Sequence, residues 1–174
     1  MKKTISIITT LLLILSCDTP DYELDNNVDT YIQDLKSPAI FFHPHDYKVN
    51  MNDTAFVQIY ALEIDSAAGM HLQVHYDWGS VELDTVLSDD FFINSDDTLL
   101  FYEDNDGILD LHLFYLPNET NSVNGTIALC VLVFETKSLG ESELRFSAAN
   151  SIVVNPRNEK IQISQYGEGI IDVQ

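Results

Sequence analysis

Histidine side chains are the groups in this sequence best suited to proton transfer or metal binding near neutral pH. Three of the five histidines lie in two short segments in which every second residue is apolar. A period of two predicts β-strands, with the apolar residues on one face and the intervening residues on the other. We therefore expect two solvent-facing sets, which are His71, Gln73 and His75 on one strand and Asp110, His112 and Phe114 on another.

The spacing of these histidines argues against a metal site. Residues four apart on a strand are separated by about 13 Å, so His71 and His75 cannot ligate one ion. His43 and His45 flank a proline at a predicted strand end, and we expect no zinc there.

The acidic segment 103–107 has the composition of a calcium-binding loop. In an EF-hand, an oxygen ligand occupies the first position and Glu the twelfth, with Gly at the sixth. With Gly107 as the sixth residue these positions are Tyr102 and Leu113, so the EF-hand pattern fails. We expect no cofactor and interpret the acidic turns as solvated. The alternative is a calcium ion held by loop aspartates, namely Asp89, Asp90, Asp96, Asp97, Asp104 and Asp106.

No catalytic motif is found in the sequence. Cys130 lies in an apolar run, 126–134, which predicts a buried thiol rather than a nucleophile beside a base. Nucleophile elbows, phosphate loops and His-Glu-x-x-His are absent. We therefore expect a non-enzymatic protein.

The first sixteen residues have the features of a secretory signal, with Lys2 and Lys3 before a short apolar run. The following Ile14-Leu15-Ser16-Cys17 resembles a bacterial lipobox, in which the cysteine is lipidated and begins the mature protein. We expect a lipoprotein signal peptide at 1–16 and a lipidated Cys17 with a flexible acidic tether over 17–37. This organisation places the protein on the bacterial outer membrane, lipid-anchored at the cell surface.

The charge of the mature chain restricts its partners. After Cys17 the chain carries 28 acidic and six basic residues, a formal charge of −22. A surface this acidic repels phosphate backbones, so we exclude nucleic acid as a partner.

The remaining residues, 38–174, read as strands separated by turns, and no segment has a long helical period. Turns are predicted where glycine follows polar residues, at Gly79, Gly107, Gly125 and Gly140. Evenly spaced strands of this kind predict an all-β sandwich. Strands are expected at 39–42, 55–62, 70–76, 81–87, 98–102, 109–115, 126–134, 142–146, 151–154, 160–164 and 170–173.

The order of these segments resembles that of a cohesin domain, a nine-stranded jelly-roll β-sandwich. The resemblance extends from Pro38 to Val173 and rests on motifs in sequence order, with Trp78 where cohesins often have Pro. The motifs are Ala68-Gly-Met-His-Leu-Gln-Val-His-Tyr-Asp77, Val81-Glu-Leu, Asp90-Phe-Phe92, Asp106-Gly-Ile-Leu-Asp-Leu, Gly125-Thr-Ile-Ala-Leu and Gly140-Glu-Ser-Glu-Leu.

The resemblance implies a binding function. Cohesins bind dockerins, which are calcium-loaded modules of carbohydrate-active enzymes, through one face that includes the strand ending in Tyr-Asp. This would make His71, Gln73, His75, Asp110, His112 and Phe114 partner-binding residues, in a protein that serves polysaccharide breakdown. Related sandwiches bind carbohydrate, so the alternative is direct polysaccharide binding in a glycan-uptake system. A third possibility is a structural surface lipoprotein whose polar strand faces are merely solvated.

Four tripeptides resemble the short O-glycosylation sequon of some Gram-negative bacteria. Each has Asp before Ser or Thr and a small or apolar residue after it. The possible acceptors are Thr54, Ser66, Thr85 and Thr98.

Overall fold

The computed structural model describes residues 34–89, 98–115 and 122–174. The predicted signal peptide, Cys17 and the tether up to residue 33 lie outside these residues, as do Asp90, Asp96 and Asp97. In the described part all regular structure is β-strand, and no segment forms a helix capable of crossing a bilayer. The strands are β1 (Ala39–His43), β2 (Asp46–Val49), β3 (Thr54–Ala67), β4 (Gly69–His75), β5 (Val81–Ser88), β6 (Thr98–Asp104), β7 (Ile108–Tyr115), β8 (Val123–Thr136), β9 (Gly140–Phe146), β10 (Ile152–Val154), β11 (Lys160–Ile161), β12 (Gln165–Tyr166) and β13 (Gly169–Val173).

These strands form two sheets that pack as a sandwich. The first has five strands in the order β12-β1-β3-β8-β5. The second has eight, with β11-β10-β4-β9-β13-β2 in one path, β7 beside β4 and β6 beside β7. Both sheets are mixed, because β1 pairs with β12, and β13 with β2, in parallel. The prediction of an all-β sandwich is confirmed.

The strand count differs from the expected nine because the sheet margins contain short segments. β10, β11 and β12 have only two or three residues each. β2 was not predicted, since Asp-Tyr-Lys-Val has too few apolar residues to reveal a strand. The turn predicted at Gly125 is wrong: β8 runs through this glycine, which faces Ile64 where the register with β3 shifts at a β-bulge.

The core lies between the two sheets and accounts for the orientation of β4 and β7. Their apolar residues point inward, and Leu72, Val74, Leu109, Leu111 and Leu113 are fully buried. Each such side chain contributes about 1.5–3 kcal/mol relative to an exposed one. A one-residue slip of either strand would expose its apolar set, so this burial fixes which side chains face solvent.

Candidate functional site

The six predicted binding residues lie together on the outer face of the eight-stranded sheet. β4 pairs with β7 along its whole length, with His71 opposite His112 and Gln73 opposite Asp110. Phe114 lies opposite Gly69, and His75 opposite Ile108. The structure thus brings the two predicted sets onto one surface, and their role in binding stays a prediction.

The neighbouring strands extend this surface on both sides. β10 places Ile152 opposite His71, and β6 places Phe101 opposite His112. Ile152, His71, His112 and Phe101 therefore form a line across four strands, which we call the ring row. Its two ends are the most accessible, with Phe101 51% exposed and Ile152 40% exposed.

The three rings of the ring row are stacked. The ring centroids of His71 and His112 are 4.5 Å apart with an interplanar angle of 5°. Phe101 stacks on the other side of His112 at 4.6 Å and 21°. These separations match the spacing of about 4.8 Å between adjacent strands. Both faces of the His112 ring are therefore covered by neighbouring rings.

A polar network lies beside the ring row and is centred on Asp110. One carboxylate oxygen, Oδ1, accepts hydrogen bonds from His71 Nε2 at 2.8 Å and from Gln73 Nε2 at 3.1 Å. The Gln73 carbonyl in turn accepts from Asn150 Nδ2 at 2.7 Å and from His75 Nε2 at 3.2 Å. The network fixes the orientation of the His71 ring and so supports the stack.

The electrostatics of this surface depend on Asp110 and His112. Burial opposes the charge of Asp110, but the hydrogen bonds from His71 and Gln73 outweigh it and hold the pKa of the carboxyl below its usual value. Burial, reinforced by nearby His71, lowers the pKa of His112, and the carboxylates of Asp110 and Glu103 only partly offset this. The site therefore favours an ionised Asp110 and a neutral His112.

The turns at the end of β4 hold the site in place. The Asp77 carboxylate accepts hydrogen bonds from the Gly79 N–H at 2.9 Å and the Ser80 hydroxyl at 2.7 Å, forming an Asx-type turn. The Ser80 and Gly79 hydrogen bonds lower the pKa of Asp77. Between β6 and β7, Gly107 has φ 102°, and its carbonyl accepts the Tyr76 N–H at 3.0 Å.

The same sheet has a different surface over β9, β13 and β2. Its outward residues include five charged side chains, which we call the charged half, namely Glu141, Glu143, Arg145, Asp172 and Lys48. Ile170 and Asp46 lie on the same face. Arg145 pairs with Glu143, and Lys48 Nζ lies 3.8 Å from Asp172. A shallow depression of about 360 Å³ between this half and His75 is lined by His75, Tyr76, Asp77, Glu141, Glu143 and Arg145.

The remaining predicted positions are scattered. Thr54 is exposed at the start of β3, Ser66 and Thr85 are half-buried, and Thr98 begins β6, so glycosylation there stays a prediction.

Cys130 is fully buried, and burial, with a smaller effect of Asp89, raises the pKa of its thiol. Within residues 34–89, 98–115 and 122–174, no three acidic, histidine or cysteine side chains are grouped to hold a metal.

Sequence reasoning missed Phe101, Ile152, Asn150 and Glu103. A usable signal existed for Phe101, because the glycine turn at Gly107 predicts a hairpin that sets β6 beside β7. Ile152 had no such signal, since it reaches His71 from 81 positions along the chain.

Comparison with known proteins gives a structural match only. No family model and no curated protein matches the chain. A non-cellulosomal cohesin from the archaeon Archaeoglobus fulgidus is similar in structure, with a TM-score of 0.65 at 12% identity over 78% of this chain and 90% of that one.

Two further solved structures have the same fold. A type II cohesin domain from the cellulosome of Acetivibrio cellulolyticus has a TM-score of 0.65 at 14% identity, covering 76% of this chain and 94% of that one. A type I cohesin–dockerin complex from Clostridium thermocellum has a TM-score of 0.63 at 14% identity, covering 78% of this chain and 99% of that one. The described domain therefore has a cohesin-like fold.

Proposed function

We propose that this chain is a lipid-anchored, non-catalytic docking protein of the bacterial outer membrane. Its ring row and the adjoining polar network bind a dockerin-like module of a carbohydrate-active protein, and so hold that protein at the cell surface during polysaccharide breakdown. The ring row is the observation that carries this proposal. It is a line of partly exposed apolar and aromatic side chains on a sheet face that solvation alone would leave polar.

The composition of the ring row suits a protein partner. Exposed aromatic side chains surrounded by polar groups are typical of protein interfaces, where aromatic anchors contribute most of the binding energy. Asn150 and Gln73 extend the row with amide groups that can hydrogen-bond a partner's backbone. The Clostridium thermocellum neighbour is itself a cohesin in complex with a dockerin, which supports the same class of partner here.

The orientation of the rings disfavours direct polysaccharide binding at this face. A sugar packs on the open face of an aromatic ring, but the faces of His112 are covered by His71 and Phe101. The only tryptophan, Trp78, lies in the turn after β4, where Lys137 Nζ sits 3.2 Å from its ring centroid. A docking role therefore fits these ring contacts better than glycan capture.

A capture experiment tests the proposal. The mature chain with Cys17→Ser, which prevents lipidation, is immobilised and exposed to the native secretome with and without a calcium chelator. We expect calcium-dependent retention of a carbohydrate-active protein, identified by mass spectrometry, and its loss from a Phe101→Asp column. Retention of polysaccharide instead of protein would overturn the proposal.

A further inference from the structure

The two histidines of the ring row form a close pair of titratable groups. Their rings are nearly parallel with centroids 4.5 Å apart, and they occupy directly opposed positions of β4 and β7. Phe101 covers the second face of His112, so this ring lies between two others. Neither imidazole can move without disturbing the row.

Few charged groups surround this pair. On β7 the neighbour is Asp110, which bonds His71, and on β6 it is Glu103, which lies opposite Asp110. On β4 the next ionisable group is His75, which lies opposite Arg145 of β9. β10 contributes the apolar Ile152. Within the part of the chain that the structure describes, one hydrogen-bonded carboxylate, Asp110, therefore serves two imidazoles.

This arrangement accommodates one positive charge but not two. Asp110 compensates a first imidazolium through its hydrogen bond to His71 Nε2. A second proton would set two positive rings face to face at 4.5 Å, and among the described residues only Asp110 offers a carboxylate hydrogen-bonded to either ring. Burial and the proximity of His71 lower the pKa of His112, which agrees with resistance to that second proton. A positive charge on His71 therefore opposes a positive charge on His112, and the two rings are electrostatically coupled.

We propose that His71 and His112 act as a proton-operated switch of the docking surface. Near neutral pH the stack is intact and the ring row is continuous. In mildly acidic medium the doubly protonated pair separates and breaks the row between Ile152 and Phe101. The release of a bound partner in acid rests on the proposed function, whereas the opening of the stack does not.

The first test needs no partner. Proton NMR of the mature Cys17→Ser chain, titrated from pH 8 to 4.5, reports the protonation of each histidine and the ring-current shifts of Phe101. We expect His112 to titrate below the ordinary 6.5, with the Phe101 shifts changing in the same step. In His71→Phe the midpoint of His112 should move up, while that of His43, on β1 of the other sheet, should not. An unchanged His112 midpoint would overturn the switch.

The second test uses the dockerin-bearing protein identified by capture. We expect its affinity to fall about tenfold between pH 7.5 and pH 5.0, which corresponds to about 1.4 kcal/mol. His112→Phe keeps a stacked ring that takes no proton, and its affinity should stay within about twofold over this range. Equal affinity of the wild type at both pH values would overturn the switch. Absence of any captured protein, with the NMR titration as expected, would overturn the docking function and leave the switch standing.

Discussion

The outer face of the eight-stranded sheet has two halves that differ in the side chains exposed to solvent and in the contacts these side chains make. Over β10, β4, β7 and β6 the outward side chains include three stacked rings, and the Asp110 carboxylate holds His71 and Gln73 by hydrogen bonds. Over β9, β13 and β2 they are mostly charged, and Arg145 pairs with Glu143 and Lys48 with Asp172. Both halves belong to the same β-sheet and pack on the same core, so they differ in their solvent-facing residues.

This contrast indicates which half is built for contact. Exposed ion pairs contribute about 0–1 kcal/mol to stability and remain well solvated. The charged half therefore gains little free energy from being covered by a partner. The ring row leaves apolar surface exposed at Phe101 and Ile152, which a partner would cover with a gain in free energy. Each prediction below perturbs one half and uses the other as its reference.

The largest effect on stability is expected at the turn between β6 and β7, the two strands that carry Phe101 and His112 of the ring row. Gly107 has φ 102°, and a Cβ there would lie 2.7 Å from the Tyr76 carbonyl oxygen. Gly107→Ala should therefore lower the free energy of unfolding by about 3 kcal/mol, from backbone strain together with the clash.

The matched control is Gly140, which begins β9 in the charged half. It also has a positive φ, of 132°, but a Cβ there meets no atom within 4 Å. Gly140→Ala should cost about 1–2 kcal/mol, from strain alone. Chemical denaturation of both variants gives the comparison, and equal losses would mean that the close approach to Tyr76 is unimportant.

The next effect concerns binding. Phe101→Ala removes the most exposed ring of the row and one face of the stack on His112. We expect it to weaken the affinity for the captured partner by about 30-fold, or ~2 kcal/mol, as for an aromatic interface anchor. Isothermal titration calorimetry would measure this.

Glu143→Gln provides the reference in the charged half. Charges at the rim of an interface affect association rates more than affinity, so a change below about threefold is expected. If Glu143→Gln weakens binding more than Phe101→Ala does, the partner binds the charged half and not the ring row.

A smaller effect is expected when pH changes. The pKa of His112 is lowered mainly by burial, so the unfolded chain binds the proton more readily than the folded one. Stability should be full above the ordinary value of 6.5 and should decline as pH falls below it. Thermal melts between pH 7.5 and 5.0 should show this decline, and it should be smaller in His112→Phe.

Two other groups, His43 and Asp110, also contribute to the pH dependence of stability and can be distinguished from His112. Burial also lowers the pKa of His43, on β1 of the other sheet, so His43→Phe should remove an independent part of the decline. The pKa of Asp110 lies below 3.8, and its contribution is lost only as pH falls through that lower range. A decline unaffected by either histidine substitution would show that neither controls stability in mild acid.

The sequence was sufficient to predict the β-sandwich fold and part of the candidate binding site. Strict alternation in β4 and β7 predicts which side chains face solvent, because a one-residue slip would expose Leu72 and Leu111. The partners that complete the row were harder to find. The position of Ile152 depends on long-range pairing of β10 with β4, and the stacking of His71 on His112 depends on side-chain torsions that no sequence pattern encodes.

The smallest effect is expected for the ion pairs of the charged half. Lys48 is 70% exposed at its side chain and its Nζ lies 3.8 Å from Asp172, so water and salt screen the attraction. Lys48→Gln should change the free energy of unfolding by less than about 0.5 kcal/mol. The shift should shrink further in 1 M salt, whereas the loss caused by Gly107→Ala should persist because strain and steric overlap are not screened. A salt-resistant loss of 1 kcal/mol or more for Lys48→Gln would mean that its aliphatic stem packs on the sheet and that the charged half, too, is held by apolar contact.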